Sequence, residues 1–384
     1  MNKPLEGVRV LDLSRVLAGP WATQLLADLG ADVIKVEKPG AGDDTRHWGP
    51  PWLEHGDQKV AAYFLAANRG KRSVAIDFGT EEGAALVRRM AADADVLVEN
   101  FKVGGLKKFG LDAQSLRSAY PRLIYASITG FGQDGPYATR AGYDYIIQAM
   151  GGFMSLTGLP DGEPGGGPVR AGVAIADLFT GMYAANAILA ALYRRERTGE
   201  GATIDMALFD TQLAVLANQA SNALVSGKDP GRQGAGHPNI VPYQPFDAAD
   251  QPIIIAVGND RQFARLAAIV GHPEWVDDPA FGTNAARVAA RETLVPLIAE
   301  IIRGKPAAEW LDQLEAAGIP AGPINSISQA LADPQAMHRG ARLTADGGAL
   351  GEVPMIGCPI HLDGERANAP LPPPALGEHG ELLR

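Results

Sequence analysis

The first 130 residues alternate between short apolar runs and amphipathic stretches, and this alternation constrains the fold more than any other feature of the chain. Arg9–Leu13 reads as a strand, Trp21–Leu29 as a helix closed by Gly30, and Asp32–Glu37 as a second strand ended by Pro39 and Gly40. Ser73–Asp77, a helix over Glu81–Ala92, Ala94–Glu99 and Leu123–Ile128 continue the series. Strands separated by helices predict an α/β fold whose parallel sheet is covered on both faces. Ligands of such sheets bind outside the carboxyl ends of the strands.

Further along, Leu178–Tyr193 reads as an almost uncharged helix, Ala202–Leu208 as a strand and Phe209–Val225 as a helix. The Gly/Pro-rich stretch Ser226–Pro245 has the composition of a linker or mobile loop. A smaller α/β unit starts near Pro252–Val257, with helices over Asp260–Val270, Ala285–Arg303 and Ala307–Ala317, and the tail ends Pro-rich near 370–374.

Net charge is −10 over 384 residues, which argues against general nucleic-acid binding. Residues 1–125 hold 17 Lys and Arg against 16 Asp and Glu, and the remainder 17 against 28, so an anionic ligand finds its best field in the first third. Cys358 is the only cysteine, which excludes an internal disulfide and suits a reducing compartment. The first residues carry no basic-then-apolar signal pattern, and no uncharged apolar run reaches the ~18 residues of a membrane span. A cytoplasmic protein with no membrane partner is expected.

The turn Ser14–Pro20 holds one glycine and a proline, not G-x-G-x-x-G, so a nicotinamide dinucleotide is not expected there. No Walker-type loop and no G-x-S-x-G elbow occur. The seven histidines show no metal-ligand spacing, so no metal is expected, although His237 lies inside the glycine-rich loop. Lys35, Lys38, Arg46, Lys71, Arg72, Lys102, Lys107 and Lys108 cluster near predicted strand ends. They form either a solvated face or a docking edge for phosphates.

One carboxylate stands out. In Val169–Gly181, Asp177 heads the uncharged helix, where an ionised acid among Ala, Ile, Leu and Phe is costly unless paired. It is either a structural helix cap or a poorly solvated, reactive group.

Val10–Pro20, Gly30–Glu37, Asn68–Ser73, Ala94–Phe101, Gly130–Gly132 and the Asp177 segment together resemble the family III (formyl-CoA transferase-like) CoA-transferases, from about residue 4 to about 380. The resemblance implies a large Rossmann-like domain (1–225, with 321–384 returning to it), a small α/β domain (226–320), and an interlocked homodimer. It implies acyl-CoA and a small carboxylic acid as substrates, with Asp177 the nucleophile carrying CoA as an aspartyl thioester. Asp177 must then be ionised, which a helix N-terminus favours. The positions matching the family's CoA contacts are Val16, Leu17, Ala18, Lys38, Ile76, Asp77, Asn100, Phe101, Lys102, Lys108, Arg140 and Tyr143, with Phe101 and Ile76 bracketing the adenine. Gly234, Gly236 and His237 match the family's active-site loop. Leu17 stands where the oxalate-using enzymes have Gln, and Arg15 and Arg46 are candidates for the far carboxylate of a dicarboxylic acceptor. The alternative within the fold is a 2-methylacyl-CoA racemase, which wants a histidine where this chain has Tyr143, a poor base at neutral pH.

Overall fold

A computed structural model describes residues 3–369 and 371–383; Met1, Asn2, Arg384 and the first proline of the Pro-rich tail, Pro370, lie outside the described residues. Six strands build one wholly parallel sheet: β1 (Arg9–Asp12), β2 (Asp32–Glu37), β3 (Lys71–Ala75), β4 (Val96–Glu99), β5 (Ile124–Thr129) and β6 (Thr203–Ala207). Their spatial order is β3-β2-β1-β4-β5-β6, so the chain winds outward from β1 to one edge and then from β4 to the other. This is the doubly wound order, in which the crevice between β1 and β4 is the expected ligand position.

Successive strand residues point to opposite faces, so a sheet covered on both faces needs apolar residues at every position. Val10, Val33, Val96 and Val98 pack into one core with helices α1 (Ala18–Asp28) and α4 (Ile175–Thr198). Leu11, Val36, Val74 and Leu97 pack into a second core with α2 (Glu81–Ala92). Helix α3 (Asp144–Met150) precedes α4 in the chain. The helix expected over Phe209–Val225 is two, α5 (Leu208–Val215) and α6 (Ala217–Ser226), because Ala217 takes a left-handed φ of 48°.

The described chain divides into two compact units: 1–153 with 171–228 and 333–384, and 154–170 with 229–332. The C-terminal return joins the first unit through backbone bonds from Gly70 N to Leu371 O (2.8 Å) and from His379 N to Ser73 O (2.9 Å). In the second unit, β7 (Tyr243–Asp247), β8 (Pro252–Ala256) and β9 (Ala321–Pro323) form an antiparallel sheet in the order β9-β8-β7. The helices Asp260–Ile269, Arg291–Ile302 and Ala307–Ala316 share its core. This unit differs from the expected 226–320 span by taking in 154–170 and also 321–332, because β9 pairs with β8 and the return to the first unit starts only at 333. Arg232 Nε donates to Leu159 O (3.1 Å) and Gly234 N to Gly158 O (3.1 Å), so the 154–170 segment is held through its backbone carbonyls. It has no apolar periodicity for a sequence reading to find.

Candidate active site

At the carboxyl ends of β1, β4 and β5 lies a recess of about 470 Å³. It sits in the crevice where the strand order reverses, and every residue lining it belongs to the first unit. Its floor is the β1–α1 turn. Val16 there holds φ 71°, a conformation a β-branched residue avoids and that persists only when surrounding contacts over-determine it. Those contacts are visible. Val16 N donates to Asp43 Oδ1 (3.2 Å), and the Asn100 side chain accepts from Arg15 N (2.9 Å) while donating to Arg15 O (2.6 Å). Asp43 is in turn paired with the fully buried Lys35, whose Nζ lies 2.9 Å away and also donates to Ser14 O at 2.8 Å. Burial opposes the charge on Asp43, yet Lys35 and the Thr45 donors hold its carboxyl down to about 2. Opposite the turn, Gly130 and Gly142 cross so closely that a Cβ on Gly130 would stand 2.5 Å from Gly142 Cα. Only glycines permit the crossing that brings Arg140–Tyr143 to the end of β5.

Asp177 lines this recess, half-buried in the first turn of α4. One turn on, a Cβ at Gly181 would meet Ala18 O at 2.6 Å, so the glycine lets α4 close on the start of α1 and carries Asp177 beside the β1–α1 turn. Asp177 is not the cap of its helix: Ala174 is the N-cap residue, with no side-chain bond of its own. The cap is supplied across space by Asp144, whose Oδ1 accepts from Ala176 N (2.8 Å) and Asp177 N (3.3 Å). Among the described residues no donor reaches the Asp177 carboxylate. Burial, and then the charge of Asp144, push it up to about 7. The ionisation expected of a helix N-terminus is therefore opposed, and the group sits at the edge of protonation near neutrality. That is the condition for a carboxylate basic enough to attack an activated carbonyl.

The expected contact residues divide. Val16, Leu17, Ala18, Asn100, Phe101, Lys102, Arg140 and Tyr143 all line the recess with Asp177. Lys38, Asp77 and Lys108 are exposed and lie outside it, with the Lys108 Nζ 4.7 Å from the Phe109 ring centroid. Ile76 is 5% exposed and packed in the second core, so its side chain is not free to bracket an adenine. Gly234, Gly236 and His237 belong to the second unit, where Arg291 holds the His237 and Pro238 carbonyls (both 3.0 Å). Several of the clustered cations are structural. Lys35 and Lys71 are fully buried, and Lys71 is spent on Asp12 (3.0 Å) and Asn68 (2.9 Å). Arg46 is bonded twice to Glu37 (2.7 and 2.8 Å) over the Phe64 ring, which removes it as a ligand for an acceptor carboxylate. Arg15 stays half-exposed in the recess beside Asp44 (3.3 Å). The sequence reading missed Asp144, whose only signal was an acid directly after Tyr143.

A doubly wound sheet with a donor-free carboxylate at its reversal point is an arrangement able to carry acyl transfer, and no metal-ligand cluster occurs among the described residues. The profile of CoA-transferase family III matches residues 5–380, and the chain belongs to that family; it is a CoA-transferase. It is 53% identical to the succinate–glutarate CoA-transferase of Agrobacterium fabrum, over 98% of this chain and 94% of that protein. It is 42% identical to the succinyl-CoA:glutarate CoA-transferase of Homo sapiens (98% and 84%), and 41% identical to the acetyl-CoA:oxalate CoA-transferase of Acetobacter aceti (99% and 95%). The crystal structure of a CaiB/BaiF family protein from Brucella suis superposes with a TM-score of 0.87 at 52% identity, covering 100% of this chain and 99% of that one.

Proposed function

We propose that this CoA-transferase moves CoA from succinyl-CoA to glutarate or a dicarboxylic acid of similar length, through a thioester on Asp177. The observation that carries the reading is the Asp177 carboxylate, free of donors in a recess at the β1/β4 reversal. The substrates follow those named for relatives at 53% and 42% identity, against an oxalate enzyme at 41%.

An Asp177 oxygen attacks the thioester carbonyl, forming a mixed anhydride as the C–S bond breaks and CoA leaves as thiolate. The thiolate attacks the aspartyl carbonyl, which releases succinate and leaves CoA on Asp177. The acceptor carboxylate attacks the aspartyl thioester and frees the thiolate again. The thiolate then takes the acceptor's acyl group from the new anhydride and returns Asp177 as carboxylate. Each step exchanges one activated carbonyl for another, so none is far uphill and no external base is required. A racemase would need a second base across the α-carbon, and Tyr143 is a phenol in that position.

CoA would run along the carboxyl edge, with Lys102 and Arg140 on its phosphates and Phe101 against its adenine; Lys38, Asp77 and Lys108 would serve an end that leaves the recess. A cytoplasmic homodimer, interlocked as the family resemblance implies, completes the proposal. The test is to incubate the enzyme with succinyl-CoA and trap with hydroxylamine or borohydride. Modification at Asp177 and glutaryl-CoA formation on adding glutarate are expected. Product accumulating over an unmodified protein would overturn the covalent route.

A further inference from the structure

Asp177 stands in the first turn of a 24-residue helix, where an acid ordinarily folds back onto the unsatisfied N–H groups of its own turn. Here those groups are occupied. Asp144 Oδ1 takes Ala176 N and Asp177 N, and Asp144 Oδ2 takes Gln148 Nε2 at 2.6 Å. Gln148, fully buried one turn along α3, spends its oxygen on Ala171 N (2.9 Å), the residue that leads into α4. One acid–amide pair, the half-buried Asp144 with the buried Gln148, thus ties the approach to the helix and its first turn to a neighbouring helix.

We propose that Asp144 is a positioning residue for transfer: by capping α4 from outside, it denies Asp177 the bonds that would quench it and holds a second negative charge against the nucleophile. This rests on Asp177 being the attacking group. Asp144 Oδ1 lies 3.3 Å from the backbone N of Asp177, and the charge of Asp144 adds to burial in raising the basicity of Asp177. Arg140 and Tyr143 line the recess with both acids, and Tyr63, on the helix Ala62–Ala66, feels both charges, its hydroxyl pushed up to about 12 by burial and then by Asp177, Asp144 and Asp43. It therefore stays protonated while Asp177 titrates.

The experiment measures the rate of adduct formation at Asp177 from succinyl-CoA, from mildly acid to mildly alkaline pH, in wild type, Asp144→Asn and Asp144→Ala. The Asn variant keeps an oxygen for Ala176 N and removes the charge, together with the acceptor for Gln148 Nε2. Its acid limb should move down by about one pH unit, and its alkaline plateau should fall about tenfold. In the Ala variant Asp177 is drawn onto its own helix, and the plateau should fall about a hundredfold or more. Acyl-CoA affinity should change less than about threefold in either, since Asp144 binds no part of CoA in this reading. If the Asn amide facing the Gln148 amide prevents folding, the double variant Asp144→Asn with Gln148→Glu rebuilds those bonds with the charge moved one turn away. It too should shift the limb downward. A limb that stays at the wild-type position in the folded variants overturns the proposal and leaves Asp144 a structural cap. An absent adduct in wild type instead overturns the role of Asp177, so the two failures are distinguishable.

Discussion

At the scale of single residues, the site is defined by what Asp177 does not do. The sequence offered two fates for it, cap or nucleophile, and could not choose, because the capping acid lies 33 positions earlier in the chain. The place of the recess was legible, since strand ends are where a parallel sheet binds ligands, whereas its individual residues came from the family resemblance. Asp144, Ile76 and the buried Lys35, Arg46 and Lys71 were not, because nothing local tells a buried paired charge from a solvated one. The raised basicity of Asp177 has two consequences. Only the carboxylate attacks, so the rate of the first half-reaction should fall tenfold per pH unit below about 7 and be flat above it, read from release of succinate. The fold pays for the same feature. An acid whose proton is held more tightly folded than unfolded destabilises the native state as pH climbs from its unfolded value of 3.8 through about 7, and by a constant amount above that. Asp177→Asn, inactive, should therefore melt above wild type at mildly alkaline pH, with the gap closing below about pH 4. A gap that widens toward acid would show the sign to be wrong.

At the scale of elements, the long periodic segments were legible and the joins were not. The helix over Glu81–Ala92 is found where the pattern put it, with Thr80 capping Gly83 N at 3.1 Å. The α4 helix runs from Ile175 to Thr198 although its uncharged pattern suggested only Leu178–Tyr193, since its first turn is ordered by Asp144 and not by its own sequence. Helix α5 stops at Val215 for a left-handed Ala217 that no periodicity announces. The contact that matters most between elements is α4 on α1 at Gly181. Gly181→Ala would drive a methyl within 2.6 Å of Ala18 O and 3.1 Å of the Trp21 side chain. The helix has to slide or tilt, at a cost of roughly 1–3 kcal/mol in stability. Because Asp177 rides one turn before Gly181 on the same face, a shift approaching 1 Å should lower the acylation rate about a hundredfold with little change in acyl-CoA affinity. Equal losses in rate and affinity would mean that the recess itself, and not the nucleophile's aim, had been disturbed.

At the scale of the whole molecule, α4 is apolar on both sides, and that needs an explanation a single chain does not give. One stripe, Ala176, Thr180, Ala184, Ile188 and Leu192, is buried in the first core. The opposite stripe at helical spacing, Phe179, Met182, Tyr183 and Tyr193, is exposed, as are Tyr145, Ile146 and Met150 on α3 and Leu224 and Val225 on α6, the last two 86% and 89%. By length and composition alone α4 would also cross a membrane. A helix already half-committed to a sheet cannot also span a bilayer without leaving it, so the exposed stripe is better covered by protein. The proposed homodimer supplies that cover, and the interlocking that the family resemblance implies lies beyond any periodicity, since threaded connections are not encoded locally. Sedimentation should therefore give twice the chain mass of 40.3 kDa for the wild type. Met182→Glu sets a charge in the middle of the stripe while leaving the buried face intact, and it should dissociate or aggregate the protein in the same measurement. A wild-type species of 40.3 kDa that transfers CoA at full rate would show that the apolar stripe has some other occupant.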